Sequence, residues 1–391
     1  GKIAGADALV FAYDTGDTIN SYRGKPTTNF YPDGHFPDGT DMASENGSNP
    51  TNEVVEMNNP GASNYVLKQT MGSAYTEYQI NLSNELQSST TYCLSGWYAE
   101  SNDYVGASRM FHCRAHSSGG SHVALGSGLY NVVKTKVVAG ITWKYCYATI
   151  TTPADYNNSF NWYVGYSSGT YSGARYYTNL MMEEGSYPSQ WIAGTRSATE
   201  GLKDLVGNYT FDLSNVSFNS NAEIDFDGTN DFITLANTDL RPGFTLETVC
   251  YPESSTFAVW GQGPTIADRG LHIIATNGYR GFVYGMYGND CDYRNYFPTT
   301  NAWHHWVFTY DGTSFQKRFF ADGVEQTPVS NTVQNEWLEG SSALRLGTNY
   351  GSETTYSKAN GKIAVAKYYN RPLTDAEIKN NFNNYKSRFN L

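Results

Sequence analysis

The C-terminal half of the chain begins with the stretch GLKDLVGNYTFDLSNVSFNSNAEIDFDGTNDFI at residues 201–233, which contains an Asp-Gly turn followed by Thr and Asn. Similar turn chemistry follows in AWHHWVFTYDG (302–312) and FFADGVEQ (319–326). Asp-Gly and Asn-Gly pairs favour tight turns because they adopt φ > 0 at little cost. These segments therefore predict strands and hairpins of an antiparallel, all-β fold.

Length and composition support that prediction for the whole chain. The chain has 391 residues, with 38 Gly and 32 Tyr but only 16% charged residues, a balance that favours short strands and many turns. Its length exceeds one ordinary core and predicts two domains. Phe160, Trp162 and Val164 alternate with neighbouring polar or aromatic residues, so the N-terminal half also predicts half-buried antiparallel strands.

The C-terminus carries the one confident helix signal, over residues 374–389. Thr374 and Glu377 have the spacing of a capping box, and Pro372 stops the preceding strand. Apolar side chains then recur at helical spacing, and this stripe predicts packing on a sandwich. Its members are Ile378, Phe382, Tyr385 and Phe389.

The order and spacing of the segments beyond residue 200 resemble the laminin-G-like (concanavalin A-like lectin) jelly rolls of bacteriophage virion proteins. The same order includes TLETVCYP (245–252), ALRLGTN (343–349) and GKIAVAKYYNRPLTDAEIKNNF (361–382). Residues 7–14, DALVFAYD, resemble the first strand of such a jelly roll. The resemblance implies a discontinuous domain, with its first strand in residues 1–29 and its remainder, including the C-terminal helix, in residues 198–391.

The intervening segment resembles the carbohydrate-binding-module-like β-sandwiches of phage tail and fibre proteins. The similarity lies in TTYCLSGWYAE (90–100) and in YYTNLMMEEGSYPSQWIAGTRS (176–197), with its Glu-Glu-Gly turn at residues 183–185. It implies a second antiparallel β-sandwich, residues 30–197, inserted into the first. Such an insertion is tolerated if its two ends emerge close together.

Charge and cysteine content restrict the partners. A formal net charge of −11 repels phosphate backbones, so we expect no nucleic-acid partner. No apolar run reaches the roughly 18 residues that cross a bilayer, so we expect no membrane insertion. The five cysteines are widely spaced and odd in number, which predicts buried or free thiols.

Catalytic motifs are few. Glu223, Asp225 and Asp227 have the Glu-x-Asp-x-acid spacing of laminarinase-type glycoside hydrolases, whose acids alternate along one strand. The final acid here is the shorter Asp, followed at once by Gly228, which disfavours the carboxylate separation of about 5 to 5.5 Å that retaining hydrolysis needs. We therefore expect no enzyme, with a hydrolase using Glu223 and Asp227 as the alternative.

Metal binding has several candidate donors. Adjacent strand residues point to opposite faces, so His304 and His305 are not expected to share one ion. The loop histidines 112, 116 and 122 lack a nearby Cys or spaced carboxylate for zinc. Ca²⁺ is the one cofactor left open, because several Asp residues offer oxygen ligands. These are Asp225, Asp227, Asp231, Asp290 and Asp292.

Two aromatic-rich segments are the candidate binding sites, and both are expected to be loops. Tyrosine rings stack on the apolar faces of sugars and provide contact area at low entropic cost. The segment 279–296 supplies Tyr279, Tyr284, Tyr287, Asp290, Asp292, Tyr293 and Tyr296, and the segment 163–177 supplies Tyr166 and Tyr171.

The two resemblances imply a virion structural protein of the tail, fibre or capsid-decoration type, and together with the aromatic-rich segments they predict that it attaches to host-surface glycans. Its partners would be other virion proteins and those glycans, and its location the particle surface. A homo-oligomer stays open. A second alternative is a purely structural virion subunit whose tyrosine-rich surfaces contact only other subunits.

Overall fold

The computed structural model describes residues 4–36, 52–72, 76–106, 111–117, 122–125, 130–167, 171–276, 281–329, 334–338, 341–350 and 358–391. The chain divides into two compact units. The first consists of Gly1–Pro26, Ser197–Asn219 and Glu223–Leu391, and the second of Thr27–Arg196 and Ser220–Ala222.

Strands dominate both units, which confirms the all-β fold class. A short 3₁₀ helix, Ala6–Ala8, precedes β1 (Leu9–Asp14) in the first unit. The strands of the second unit are β2 (Thr27–Thr28), β3 (Asn52–Glu56), β4 (Tyr65–Thr70), β5 (Thr76–Asn81), β6 (Thr91–Glu100), β7 (Phe111–Ser117), β8 (His122–Leu125), β9 (Asn131–Val138), β10 (Ile141–Thr151), β11 (Tyr156–Ser167), β12 (Ala174–Glu184) and β13 (Thr195–Arg196).

The first unit resumes with twelve further strands among the described residues and ends in a helix. They are β14 (Phe226–Asp227), β15 (Ile233–Asp239), β16 (Phe244–Pro252), β17 (Phe257–Gln262), β18 (Leu271–Ala275), β19 (Phe282–Met286), β20 (Asp290–Tyr293), β21 (His304–Tyr310), β22 (Lys317–Ala321), β23 (Val324–Gln326), β24 (Ser341–Leu346), β25 (Asn360–Tyr369) and α1 (Asp375–Phe389).

Two antiparallel sheets form the jelly roll of the first unit. One has the order β1-β25-β16-β21-β22-β23, with β14 also paired to β25, and the other has the order β15-β24-β17-β18-β19-β20. A single large core contains fully buried Phe11, Trp260, Trp306 and Phe308. Since β1 pairs with β25 from Leu9↔Tyr369 to Asp14↔Val365, a strand from before the second unit completes a sheet built from residues after it.

The helix α1 packs on the first of these sheets as its apolar stripe predicts. Ile378 contacts buried Val307 and Phe320, while Tyr385 and Phe389 join the cluster around Val249. The backbone N–H of Glu377 donates to Oγ1 of Thr374 over 3.3 Å, and its carboxylate accepts from the Thr374 N–H over 2.8 Å. The capping box predicted from the sequence is confirmed.

A buried polar network joins this helix to the sheet. The carboxylate of Glu247 on β16 accepts from Tyr369 over 2.9 Å and from Asn381 of α1 over 3.0 Å, and lies 3.0 Å from Nε2 of His305. Burial raises the pKa of Glu247, but the charge of Lys367 and these hydrogen bonds outweigh it and lower that pKa to about 2. A charged carboxylate thus fixes the helix in place.

The paired histidines lie on opposite faces of β21, as expected. His305 faces α1, whereas the ring of His304 stacks on Trp306 at 5.6 Å and its Nδ1 lies 3.4 Å from Asp322. All five cysteines are buried and none forms a disulfide in the described part of the chain, which confirms the prediction of buried thiols.

The second unit is also built from antiparallel strands. One sheet has the order β3-β4-β12-β6-β10-β9 and another the order β5-β11-β7-β8, and buried Tyr98, Trp162, Tyr177 and Leu180 belong to its main core. Thr27–Thr28 pairs with Thr195–Arg196, so this unit starts slightly before residue 30 and its two ends lie side by side.

Candidate functional site

The segment 279–296 is not the long loop that the sequence predicted. Residues 282–286 and 290–293 form β19 and β20, an antiparallel hairpin. Because side chains alternate between the two faces of a strand, Tyr284 and Tyr293 point inward and are 0% and 1% exposed. The hydroxyl of Tyr284 donates to the Thr309 carbonyl over 3.1 Å. The expectation that these two rings meet a ligand is therefore wrong.

Tyr296 is half-buried at the edge of the core. Its ring packs edge-on against Phe319 at 5.2 Å, and its hydroxyl accepts from Nε1 of Trp306 over 2.8 Å. Burial raises its pKa well above the ordinary tyrosine value. Tyr296 thus supports the core, while Tyr279 lies outside the described residues.

Tyr287 is the tyrosine of this hairpin that reaches the surface. It occupies the turn between β19 and β20 with φ 32°, followed by Gly288 at φ 75°, and 43% of its surface is exposed. Two consecutive residues with φ > 0 are typical of the tight turns that join twisted strands. A tyrosine in the left-handed region is uncommon, and such outliers concentrate at functional sites.

Three side chains pack behind this turn. The ring of Tyr350 meets Tyr287 edge-on at 5.9 Å and lies 4.6 Å from the ring of His272. Nε2 of His272 is 3.1 Å from Oδ1 of Asp290. Gly285 is necessary here, because a Cβ at that position would come within 2.2 Å of Oδ1 of Asp290. We call Tyr287, Tyr350, His272 and Asp290 the hairpin surface.

A buried amide holds the turn rigid from beneath. Oδ1 of Asn289 accepts from Nζ of Lys317 over 2.6 Å and from the Asn335 N–H over 3.1 Å, and its Nδ2 donates to the Asn335 carbonyl over 3.0 Å. Burial lowers the pKa of Lys317, opposed by nearby acidic groups including Asp290. A site held by packed, hydrogen-bonded neighbours loses little entropy when it binds.

Asp292 lies on the same outward face of β20 as Asp290. Its side chain is 13% exposed and accepts from Arg294 over 3.3 Å. Asp290 contacts His272, whose ring packs on Tyr350 behind the exposed tyrosine, whereas Asp292 lies two residues further along the strand. The structure therefore places Asp290, but not Asp292, in the hairpin surface.

The aromatic segment of the second unit is largely strand as well. Tyr163 on β11 and Tyr177 on β12 are 7% and 0% exposed. Tyr171 is half-buried, and a Cβ on Gly106 would touch both its ring and the Tyr104 hydroxyl. The side chain of Tyr166 lies outside the described part of the chain. Tyr171 is thus the one described candidate at this end of the unit.

The proposed catalytic acids have other partners. Only residues 226–227 of that motif form a strand, and the Asp227 carboxylate accepts from the N–H groups of Thr229 and Asn230 over 2.7 and 3.0 Å. Although burial raises the pKa of Asp227, these bonds lower it overall. A carboxylate held ionised in a turn is poorly suited to donate a proton.

Glu223 and Asp225 differ from Asp227 in their surroundings. Burial raises the pKa of Glu223, but hydrogen bonds from Asn219 and Lys362 lower it overall. Burial and the neighbouring Glu253 raise the pKa of Asp225. The pKa of Glu223 is thus lowered by side-chain partners, whereas that of Asp227 is lowered by the backbone of its turn. Only the pKa of Asp225 is raised among these three carboxylates.

The calcium candidates are not assembled into one cluster. Asp231 is 4% exposed and accepts from the N–H groups of Ser217 and Asp227 over 2.8 and 3.0 Å. Within the described ranges, no group of three or more His, Cys, Asp or Glu side chains could hold a metal ion. In the same residues, no helix is both long and apolar enough to cross a bilayer.

Sequence reasoning missed His272 and Tyr350. His272 and Ile274 lie on the same face of β18. Strand alternation in the sequence predicts that they share a face, but it does not predict which residues of other strands lie beside them. Tyr350 follows the strand segment ALRLGTN directly, so its proximity to Tyr287 depends on tertiary packing alone.

Comparison with known families gives one match. Residues 227–379 match the model of the laminin-G type described as the concanavalin A-like lectin/glucanases superfamily. This range runs from β14 into α1 and lies wholly within the first unit. The jelly roll of that unit is therefore similar to those of the lectin/glucanase type. No similar sequence is found among curated proteins.

Several solved structures are also similar. A Trypanosoma rangeli sialidase in complex with 2,3-difluorosialic acid shares 18% identity over 46% of this chain and 30% of that chain, with a TM-score of 0.35. The Ruminococcus gnavus IT-sialidase CBM40 bound to α2,3-sialyllactose shares 15% identity over 41% and 95%, with a TM-score of 0.31. Domain 4 of the Geobacillus stearothermophilus arabinanase AbnA, in complex with arabinotriose, shares 13% identity over 47% and 92%, with a TM-score of 0.34. The chain spans 30% of the length of that first sialidase.

Proposed function

We propose that this chain is a bacteriophage virion protein that attaches to host-surface glycans through the hairpin surface of its jelly roll. The observation that carries the proposal is the exposed ring of Tyr287, which packs edge-on against Tyr350 in front of the His272–Asp290 pair. An aromatic ring stacks on the apolar face of a sugar while a carboxylate accepts from its hydroxyls. The lectin-type jelly roll of residues 227–379 supports the same class of ligand.

Binding is proposed without hydrolysis. Retaining and inverting glycosidases both need one carboxyl group that can donate a proton. Asp227 is held ionised by backbone N–H groups, and its supposed partner Glu223 is held ionised by Lys362 over 2.9 Å. Neither member of the pair is poised as the acid.

The location on a virion rests on the resemblance of the first unit to the jelly rolls of phage virion proteins and of the second unit to the β-sandwiches of phage tail and fibre proteins. Gold-labelled antibodies against the purified chain should bind intact particles of the parent phage and leave particles that lack this gene product unlabelled. Absence of label on intact particles would contradict a surface location.

A glycan array tests the binding proposal. Purified full-length protein should bind at least one host-surface saccharide, and Tyr287→Ala should weaken that binding about fivefold, the effect of losing one aromatic stacking contact of about 1 kcal/mol. Phe297→Ala is the matched control, because Phe297 is an exposed aromatic, at 58%, that is not one of the residues of the hairpin surface. Equal binding by wild type and Tyr287→Ala would contradict the proposal.

One observation favours the purely structural alternative. The strand β9 is the edge of its sheet, and Val132, Val133 and Val137 on it are 48%, 38% and 68% exposed. Exposed apolar edges mark contacts with other chains. If the chain has a purely structural role, Val137→Lys should prevent its incorporation into phage particles. In that case neither wild type nor any variant should bind the glycan array.

A further inference from the structure

The first unit has a second surface feature that can hold a ligand, distinct from the hairpin surface. A cleft of about 190 Å³ is formed where the end of β1, the start of β25, the residue before β21 and the C-terminus of α1 meet. Its lining includes Thr15, Glu223, Trp303, Lys362, Arg388 and Phe389. Drug-sized ligands need at least about 300 Å³, so this cleft fits one small ring.

Aromatic side chains form one wall. Trp303 is half-buried, and its ring lies 4.7 Å from that of Phe389 and 5.3 Å from that of Tyr251. The two flanking rings fix the orientation of the indole. Trp303 therefore presents a rigid apolar face, as a stacking platform requires.

Glu223 is the polar group with capacity for a ligand. Its Oε2 accepts from Nζ of Lys362 over 2.9 Å and from Nδ2 of Asn219 over 2.8 Å. Among the described residues, Oε1 of Glu223 has no hydrogen-bond partner. A carboxylate oxygen already ionised and fixed by a lysine is well placed to accept from a hydroxyl group.

Arg388, the other cation that lines the cleft, is also paired with a carboxylate. Arg388 donates from both terminal nitrogens to Asp14 over 2.6 and 2.7 Å. Gly16 permits this geometry, since a Cβ there would come within 2.1 Å of Nη2 of Arg388. Because Lys362 pairs with Glu223 and Arg388 with Asp14, an incoming anion would compete with two existing ion pairs.

We infer that this cleft binds a single neutral sugar ring, stacked on Trp303 and hydrogen-bonded to Oε1 of Glu223. The apolar wall selects a ligand with a C–H face, the carboxylate selects hydroxyl donors, and the paired charges disfavour acidic sugars. The choice of a saccharide rests on the proposed function, whereas the preference for a neutral ring rests on the cleft itself. The site is separate in sequence and in side chains from the hairpin surface.

Saturation-transfer NMR with methyl hexosides at millimolar concentration tests this inference on the full-length protein. Wild type should transfer saturation to the C–H protons of at least one neutral hexoside and several-fold less to the corresponding methyl uronide. Trp303→Leu should reduce the neutral signal about fivefold to tenfold. Glu223→Gln, a change at a side chain that is 54% exposed, should weaken binding without affecting the fold.

Tyr287→Ala is the control that separates the two sites. It should retain hexoside binding while its array binding weakens about fivefold, and Trp303→Leu should show the opposite pattern. Unchanged signals in both Trp303→Leu and Glu223→Gln, a stronger signal from the uronide, or no signal from any neutral hexoside would overturn the inference. Cleft binding in the absence of any array binding would instead overturn the proposed function and leave this inference standing.

Discussion

Phe11→Ala should strongly destabilise the jelly roll, although Phe11 is separated in sequence from nearly all of that domain. The residue is 0% exposed in the core of the first unit. Its ring lies 5.6 Å from Tyr209, 5.9 Å from Phe211, 6.0 Å from Trp260 and 6.1 Å from Tyr368. All four partners follow Thr27–Arg196, the main segment of the second unit, so this one ring connects residues from either side of that segment.

The expected loss follows from burial and cavity formation. Truncation of a fully buried phenylalanine costs about 3 to 5 kcal/mol, because the lost transfer free energy is joined by that of the cavity left behind. For a domain of this size, each kcal/mol lowers the melting temperature by about 2 to 4 °C. The thermal transition of the first unit should therefore fall by about 10 °C.

Differential scanning calorimetry on the full-length protein can measure this shift. The transition of the second unit is an internal control and should not move. Ile19→Ala is the matched control variant, because Ile19 belongs to the same N-terminal segment but is 73% exposed, and surface changes are usually within about 0.5 kcal/mol. A loss below about 1 kcal/mol for Phe11→Ala would refute the role of β1 in the core.

Two further substitutions and one activity assay test other parts of the structure. The pKa of Glu247 is about 2 against an ordinary 4.5, so its ionised form should contribute about 3 kcal/mol to stability above pH 4.5, and this contribution is lost as the pH falls towards 2. In urea unfolding, the difference in free energy of unfolding between wild type and Glu247→Gln should narrow over this range. A constant difference would contradict the reasoning. Thr374→Ala removes the helix cap and should lower the free energy of unfolding by about 1 kcal/mol, with no change counting against the capping box. Reducing-end assays on β-glucans and host polysaccharide should show no hydrolysis, and turnover that disappears in Glu223→Gln would establish an enzyme.

Features set by local chemistry could be predicted from the sequence. The capping box at Thr374 depends on residues three positions apart, and the helix stripe depends on a single periodicity. Strand alternation likewise identified the all-β class and placed His304 and His305 on opposite faces. In each case the determining contacts lie within one element or one sheet.

Features set by tertiary packing were missed or misjudged. Tyr284 and Tyr293 were expected in a loop, yet residues 287–289 form the turn of a hairpin and the two tyrosines lie on its strands, where they alternate into the core. The joining of Glu247 to Asn381 over 134 residues has no local signal. The contact between Tyr350 and Tyr287 likewise has no local signal, since nothing in the sequence around either residue predicts the other as its neighbour.

The most direct test of glycan binding at the hairpin surface is a histidine-selective NMR titration with the saccharide that gives the strongest array signal. His272 touches both Tyr350 and Asp290, and its signal can be assigned with a His272→Gln variant. We predict that this signal shifts saturably in wild type and not in Tyr287→Ala, while the signal of His305, buried beneath α1, stays fixed. A saturable titration that leaves the His272 signal unmoved would contradict binding at this surface.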